Sequence, residues 1–149
     1  MLRLLIIAHE PLASALKAVA AHIDPEASAS IGVCDVQAGH STDEVMAIAI
    51  RALDGLGAGD VLILTDVFGA TPCNVARGLG ERMGTRVVSG VNVPALWRAI
   101  DHLRDPLDKV AELVVAGGQQ GVMHVSFSSP QHQAIKGSSN DSQHDHNQQ

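Results

Sequence analysis

At 149 residues, with 46% apolar side chains, the chain is one domain's worth of globular protein rather than a disordered polypeptide. No apolar stretch approaches the roughly 20 residues needed to cross a bilayer, and a formal net charge of −6 is the wrong sign for a nucleic-acid surface. The two cysteines, Cys34 and Cys73, show no metal-ligand spacing and fit free thiols in a reducing cytoplasm.

Strand-like and helix-like segments alternate along most of the sequence. Leu2 to Ala8 reads as a first strand rather than a signal peptide, because no small-residue cleavage site follows it. A helix opened by Pro11 runs to about Ile23, and Ile31 to Val36 is a second strand. Ser41-Thr42-Asp43-Glu44 is a capping box, with the hydroxyl capping forward and the glutamate capping back. That helix reaches about Leu56 and stops at Gly57-Ala58-Gly59. Val61 to Thr65 is the third strand, after which Thr71-Pro72 opens a helix ending near Met83-Gly84. Arg86 to Ser89 is a fourth strand, Pro94 to Leu103 and Pro106 to Ala116 are helical, and Val122 to Phe127 is β-prone and expected to close the domain.

Such alternation implies right-handed βαβ units and a parallel sheet. Two of its strands, Leu4-Leu5-Ile6-Ile7-Ala8-His9 and Val61-Leu62-Ile63-Leu64-Thr65-Asp66, end an apolar run on a reactive side chain. Runs of this kind are buried on both faces of a parallel sheet. His9 and Asp66 therefore fall at carboxyl ends of strands, the edge where ligands and chemistry collect in open α/β sheets. If strand one lies between strands two and three, the winding reverses there and the two residues become neighbours. This order is the simplest that explains both end residues, although the sequence does not force it.

The chain from Ser128 onward is polar and nearly free of large apolar groups. We expect residues 1–127 to be the folded domain and 128–149 a disordered His/Ser/Gln-rich tail. His132 with His144-Asp145-His146 is a weak metal-binding pattern, and a solvated tail without chemistry is the preferred reading. No internal repeat is evident.

A carboxylate that holds one imidazole nitrogen leaves the other free to accept and give away a group. After Asp66, Thr71 reads as the N-cap and Pro72 as the first residue of a helix whose free N–H groups face the sheet edge. Gly69 allows close backbone approach. The helix after Glu10-Pro11 offers a second N-terminus. A histidine between two helix starts suits a phosphoryl group, and Thr71 can donate its hydroxyl to it. The bland alternatives are a histidine that is only a polar strand cap and an aspartate that only makes a turn. On composition and spacing these weigh about equally with a catalytic pair.

Three segments then carry a resemblance: Ile6-Ile7-Ala8-His9, Asp66-Val67-Phe68-Gly69-Ala70-Thr71-Pro72-Cys73-Asn74, and Ser89-Gly90-Val91-Asn92-Val93-Pro94-Ala95-Leu96. In this order and spacing, over roughly residues 1 to 125, the chain resembles the IIA component of the mannose family of the bacterial phosphoenolpyruvate-dependent sugar phosphotransferase system. The resemblance implies a flavodoxin-like open, mainly parallel sheet with helices on both faces. It also implies a dimer in which the last strand, antiparallel, is exchanged with the partner, a part that Val122 to Phe127 would fill. His9 falls on the histidine phosphorylated at Nε2 by the carrier protein HPr, Asp66 on the aspartate that accepts from its Nδ1–H, and Thr71 on a Ser/Thr position near the phosphoryl group. The acceptor implied is a separate IIB protein, the location cytoplasmic, and no cofactor or metal is called for. Many family members carry a glycine and an aromatic residue where this chain has Glu10-Pro11. Glu10 is therefore expected to weaken phosphoryl affinity or alter partner choice.

The remaining residues read mostly as structure. Cys73, in a first helical turn, is assigned to packing rather than to nucleophilic chemistry. Asp35 and Asn92 lie at strand ends and either shape the site or make turns. His22, His40 and His102 read as surface or helix-end residues, and His124 as part of the last strand. Trp97 is expected in the core, and Phe68 either packs its loop or docks a partner protein. The output expected is sugar uptake through a membrane permease. Alternatives are a regulatory phospho-switch that binds a target protein according to His9 phosphorylation, a phosphotransfer subunit of a dihydroxyacetone kinase, and a small hydrolase.

Overall fold

The computed structural model describes residues 1–127. The tail assigned to 128–149, with His132, His144 and His146, lies outside the described residues.

The first strand, β1 (Arg3–His9), forms because six of its seven residues are buried, including the run Leu4 to Ala8 at 1% exposure or less. Helix α1 (Leu12–Ile23) follows, then a short α2 (Pro25–Ala29) and β2 (Ile31–Val36). The short α2 has no counterpart among the sequence-predicted elements, although Asp24-Pro25 marks its start. Asp24 accepts from the backbone N–H groups of Glu26 and Ala27, and proline occupies the first turn. In α3 (Thr42–Asp54) the capping box is present in both directions, between Ser41 and Glu44. After it come β3 (Val61–Thr65), α4 (Thr71–Gly80), β4 (Thr85–Val88), α5 (Val93–Asp101) and α6 (Leu107–Gln120).

The four strands are ordered β2-β1-β3-β4, and every pair is parallel. The winding reverses between β1 and β3, the arrangement that most simply explains the two reactive strand ends. Alternate side chains of the strands feed two cores. Leu4, Ile6, Ala8, Leu62 and Leu64 pack against α1, α5 and α6. Leu5, Ile7, Val36, Val61 and Ile63 pack against α3 and α4. Helices thus cover both faces, which is why β1 and β3 read as unbroken apolar runs.

Three expectations need correction. Val122 to Phe127 forms no strand. Helix α6 runs on to Gln120, and Val122, Met123, Val125 and Phe127 stand 69–98% exposed. A strand needs a neighbour for its N–H and C=O groups, and among the described residues of one chain this segment has none. Trp97 is not in the core but 51% exposed. The buried stripe of α5 is Ala95, Leu96, Ala99 and Ile100, two i,i+4 pairs, and Trp97 lies off it. Finally, α4 ends at Gly80, short of Met83-Gly84.

Candidate functional site

β1 and β3 deliver His9 and Asp66 to the same point of the sheet edge. Ile7 pairs with Thr65 in register, and both chains then run past the end of the ladder. Asp66 Oδ2 accepts two hydrogen bonds from His9, one from its backbone N–H at 2.8 Å and one from the ring Nδ1 at 2.7 Å. Its other oxygen, Oδ1, accepts from the Val67 N–H at 2.7 Å. With three donors on two oxygens, the carboxylate has little freedom.

Burial alone would raise the Asp66 pKa. The backbone N–H bonds from His9 and Val67, the ring bond and the histidine's charge outweigh it and hold the carboxyl below its usual value. Asp66 is therefore ionised at neutral pH and fixes the proton of His9 on Nδ1. The Asp66 side chain is 13% exposed while that of His9 is 54% exposed. The nitrogen without a hydrogen-bond partner among the described residues, Nε2, belongs to the open side chain of the pair. The arrangement presents a nucleophilic imidazole nitrogen to another molecule.

The loop after Asp66 is shaped by its glycines. Gly69 adopts φ +87° and Gly90 φ +81°, backbone conformations that favour glycine. The Gly90 N–H donates to the Asp66 carbonyl at 2.6 Å and the Val91 N–H to the Thr65 carbonyl at 3.0 Å. The β4–α5 loop thereby clamps the end of β3.

Thr71 stands one position later than expected. Ala70 is the N-cap of α4, Thr71 is its first helical residue, and no side chain caps this end. The Asn74 N–H is the first to find an intrahelical partner, the Ala70 carbonyl at 3.0 Å. Pro72 has no N–H to satisfy, so the N–H groups of Thr71 and Cys73 remain available to a ligand. No acidic residue lies in this turn. The other helix end expected to face the site is already taken. Asp35, at the end of β2, accepts from the Ser14 N–H at 3.1 Å and from the Ser14 hydroxyl, capping α1 from outside. Of the two helix ends at this edge, that of α4 is the one with no carboxylate bound to it among the described residues.

The other candidates resolve into structure. Asn92 caps α5 through the Ala95 N–H at 2.9 Å and donates to the Gly118 carbonyl at 3.0 Å, tying α5 to α6. Its role was legible in Asn92-Val93-Pro94, an N-cap residue before a first-turn proline. The tie between Asp35 and Ser14 had no sequence signal, because it joins two elements. Cys34 and Cys73 are buried at 1% and 2% exposure. Burial and the neighbouring Asp35 charge push the Cys34 thiol up to about 11, which removes it as a nucleophile. His40 Nδ1 accepts from the Gln37 N–H at 3.3 Å, and His102 Nδ1 lies 2.8 Å from Asp105. His124 falls in the segment without a strand. Phe68 is 71% exposed, with the Arg77 guanidinium 6.0 Å from its ring centre, and Val67 beside it is 55% exposed.

The family model described as "PTS system fructose IIA component" matches residues 3–115 of the chain. The chain belongs to this mannose-type EIIA family. It is a component of the sugar phosphotransferase system, within the transferase class. Solved structures agree with the assignment. The mannose/sorbose-specific IIA subunit from Enterococcus faecalis is 26% identical, with a TM-score of 0.77, covering 85% of this chain and 96% of that one. The phosphotransferase system component EIIA from Streptococcus agalactiae shares the fold at 23% identity, with a TM-score of 0.73 over 83% of this chain and 97% of its own. The PTS IIA protein associated with the fucose utilization operon from Streptococcus pneumoniae does so at 21% identity and a TM-score of 0.69, over 83% of this chain and 92% of its own. Among curated proteins no relative matches the chain. Among the described residues no EIIA helix is long and apolar enough to cross a membrane, and no group of three or more metal-binding side chains is assembled.

Proposed function

We propose that this EIIA domain, residues 1–127, is a cytoplasmic phosphocarrier that accepts a phosphoryl group from HPr on His9 Nε2 and passes it to a separate IIB protein for sugar uptake. The observation that carries this reading is the double hold of Asp66 Oδ2 on His9, through the backbone N–H and Nδ1. It keeps the proton on Nδ1 and the lone pair on the exposed nitrogen.

In the first step the Nε2 lone pair forms an N–P bond while the donor's N–P bond breaks and returns its pair to the donor imidazole. His9 becomes positively charged in the ring, and Asp66 beside Nδ1 offsets that charge. The second step is the same exchange in the other direction, with the IIB nucleophile taking the phosphoryl group. No proton leaves the Nδ1–Asp66 bond in either step. Catalysis is positioning and fixed charge, so no metal or organic cofactor enters. The free N–H groups of the first α4 turn, with the Thr71 hydroxyl, hold the phosphoryl oxygens.

Two surfaces serve protein partners. Val67 and Phe68, exposed on the loop that carries Asp66, dock the donor and acceptor proteins. The apolar segment Val122 to Phe127 pairs antiparallel with an edge of a second copy's sheet, which accounts for its exposure in one chain and makes the protein a homodimer.

The test is phosphoryl transfer from phosphoenolpyruvate through purified Enzyme I and HPr, read by intact mass. An acid-labile adduct that requires HPr and disappears in His9→Ala establishes the carrier chemistry. Its absence from wild-type protein with a competent HPr refutes it. Subsequent transfer to a IIB protein separates sugar uptake from a regulatory phospho-switch, which would retain the phosphoryl group and change its binding of a target instead.

A further inference from the structure

The β2 side of His9 presents an acidic residue, Glu10, that makes no ion pair among the described residues. Glu10 follows His9 directly, with its backbone N–H bound to the Val36 carbonyl at 3.0 Å and its side chain exposed. Its carboxylate receives only a long hydrogen bond, 3.4 Å, from Gln37 Nε2. Gln37 is itself set by the turn after β2, donating its N–H to His40 Nδ1 and accepting from the His40 N–H at 3.1 Å. Among the described residues, the Lys and Arg side chains in ion pairs are Arg86, bound to Asp108, and Lys109, bound to Asp105. Neither reaches Glu10. The α1 N-terminus, which would favour an anion beside His9, already holds the Asp35 carboxylate.

Resting on the phosphocarrier reading above, we infer that Glu10 sets the phosphoryl-transfer potential of His9. The arriving group adds roughly two negative charges near neutral pH. On one side it meets Asp66, whose charge the ring proton offsets; on the other it meets Glu10, whose charge is in no ion pair among the described residues. Glu10 raises the free energy of the phosphorylated state and leaves the unphosphorylated state unchanged. The phosphohistidine is therefore a stronger donor to the acceptor protein and a less populated species at equilibrium with HPr. Glu10 touches no reacting atom and acts through the field at Nε2. Neighbouring Cα atoms are about 3.8 Å apart, well inside the ~30 Å Debye length at ~0.01 M salt, so the repulsion is felt at low ionic strength.

The experiment equilibrates wild type, Glu10→Gln and Glu10→Asp with phospho-HPr and free HPr at a fixed ratio, and reads the phosphorylated fraction by intact mass. At ~0.01 M salt, Glu10→Gln should raise the ratio of phosphorylated to free protein by roughly threefold or more. At ~1 M salt, where the Debye length is about 3 Å, the difference should largely vanish. Glu10→Asp, which keeps the charge, should follow the wild type. Equal ratios for wild type and Glu10→Gln at low salt overturn the inference, as does a difference indifferent to salt. If the wild type is phosphorylated but Glu10→Gln matches it, this inference falls alone. If the wild type takes no phosphoryl group from HPr, the carrier reading falls with it.

Discussion

Replacing Asp66 by asparagine conserves shape and removes one charge, and the geometry of the pair states what should follow. Three donors converge on this side chain: the His9 N–H and Nδ1 on Oδ2, and the Val67 N–H on Oδ1. Asparagine has only one oxygen to offer them. If its amide nitrogen faces Val67, two donors meet where 2.7 Å now separates a donor from an acceptor. If the amide nitrogen faces His9, the ring must present an unprotonated Nδ1, which moves the proton to Nε2 and removes the nucleophile. Either orientation loses the charge that offsets the ring in the phosphorylated state. A hydrogen bond to an ionised group is worth about 1.5–3 kcal/mol, so the phosphorylation rate should fall on the order of 10- to 100-fold. The assay is rapid-quench transfer from phospho-HPr in a single turnover, with circular dichroism to establish that the variant is folded. An Asp66→Asn protein phosphorylated within threefold of the wild-type rate would refute the reasoning, because His9 would then not depend on the carboxylate for its tautomer.

The same carboxylate has a consequence for stability. Its folded pKa lies below the unfolded value of about 3.9, so its contribution is present above that pH and is lost as pH falls through the folded value. In urea titrations the gap between wild type and Asp66→Asn should therefore be full near pH 7 and narrow below about pH 4. Phe68→Ala should change stability by less than about 0.5 kcal/mol, since the ring is 71% exposed, yet raise the KM for phospho-HPr several-fold. An unchanged KM would assign Phe68 to its loop alone. A Cβ at Gly121 would meet Pro94 at 2.4 Å, although the glycine's φ of −74° suits any residue. Gly121→Ala should thus cost about 1–3 kcal/mol by chemical denaturation, while Gly39→Ala, with nothing within 4 Å, should cost little. Sedimentation should find the wild type dimeric and a Val125→Asp, Phe127→Asp double variant monomeric; two dimers would exclude the C-terminal segment as the interface.

What was legible in the sequence follows from the range of each interaction. The runs Leu4 to Ala8 and Val61 to Thr65 declared themselves because both faces of these strands are covered, so composition alone marked them. The pairing of β1 with β3 was inferable from two reactive strand ends, since one reversal of winding explains both. Caps encoded within a few residues, such as Ser41 with Glu44, could be read directly. Those built across elements could not. Asp35 caps Ser14 across 21 positions, and this contact withdraws one of the two helix ends that the sequence offered to the phosphoryl group. Thr71 was displaced by one residue because Ala70, with no side-chain oxygen, takes the cap position. The β-prone pattern from Val122 to Phe127 was real as a pattern, but a strand's existence depends on a partner that the pattern does not contain.

Exposure divides the labour within the His9–Asp66 pair. An enzyme that completes its reaction inside a pocket benefits from burying both members of such a pair, since a dry site strengthens every charge interaction. A carrier cannot do so, because its histidine must meet an imidazole on one protein and a nucleophile on another. Here Asp66 is 13% exposed and His9 54% exposed, so the fixed charge sits in the protected half and, in the carrier reading proposed above, the transferable group sits in the open half. The backbone bond from His9 N to Asp66 Oδ2 makes this possible. It locks the carboxylate to the strand rather than to the ring alone, so the orientation of the pair survives when the ring is in water. The open half then needs walls from elsewhere. The exposed Val67 and Phe68 lie on the loop next to the pair, and on the proposed reading a docking partner covers them. A docked partner would exclude water from Nε2 during transfer and release it afterwards. On that reading, fast transfer between proteins and slow loss to water would require no lid of the domain's own.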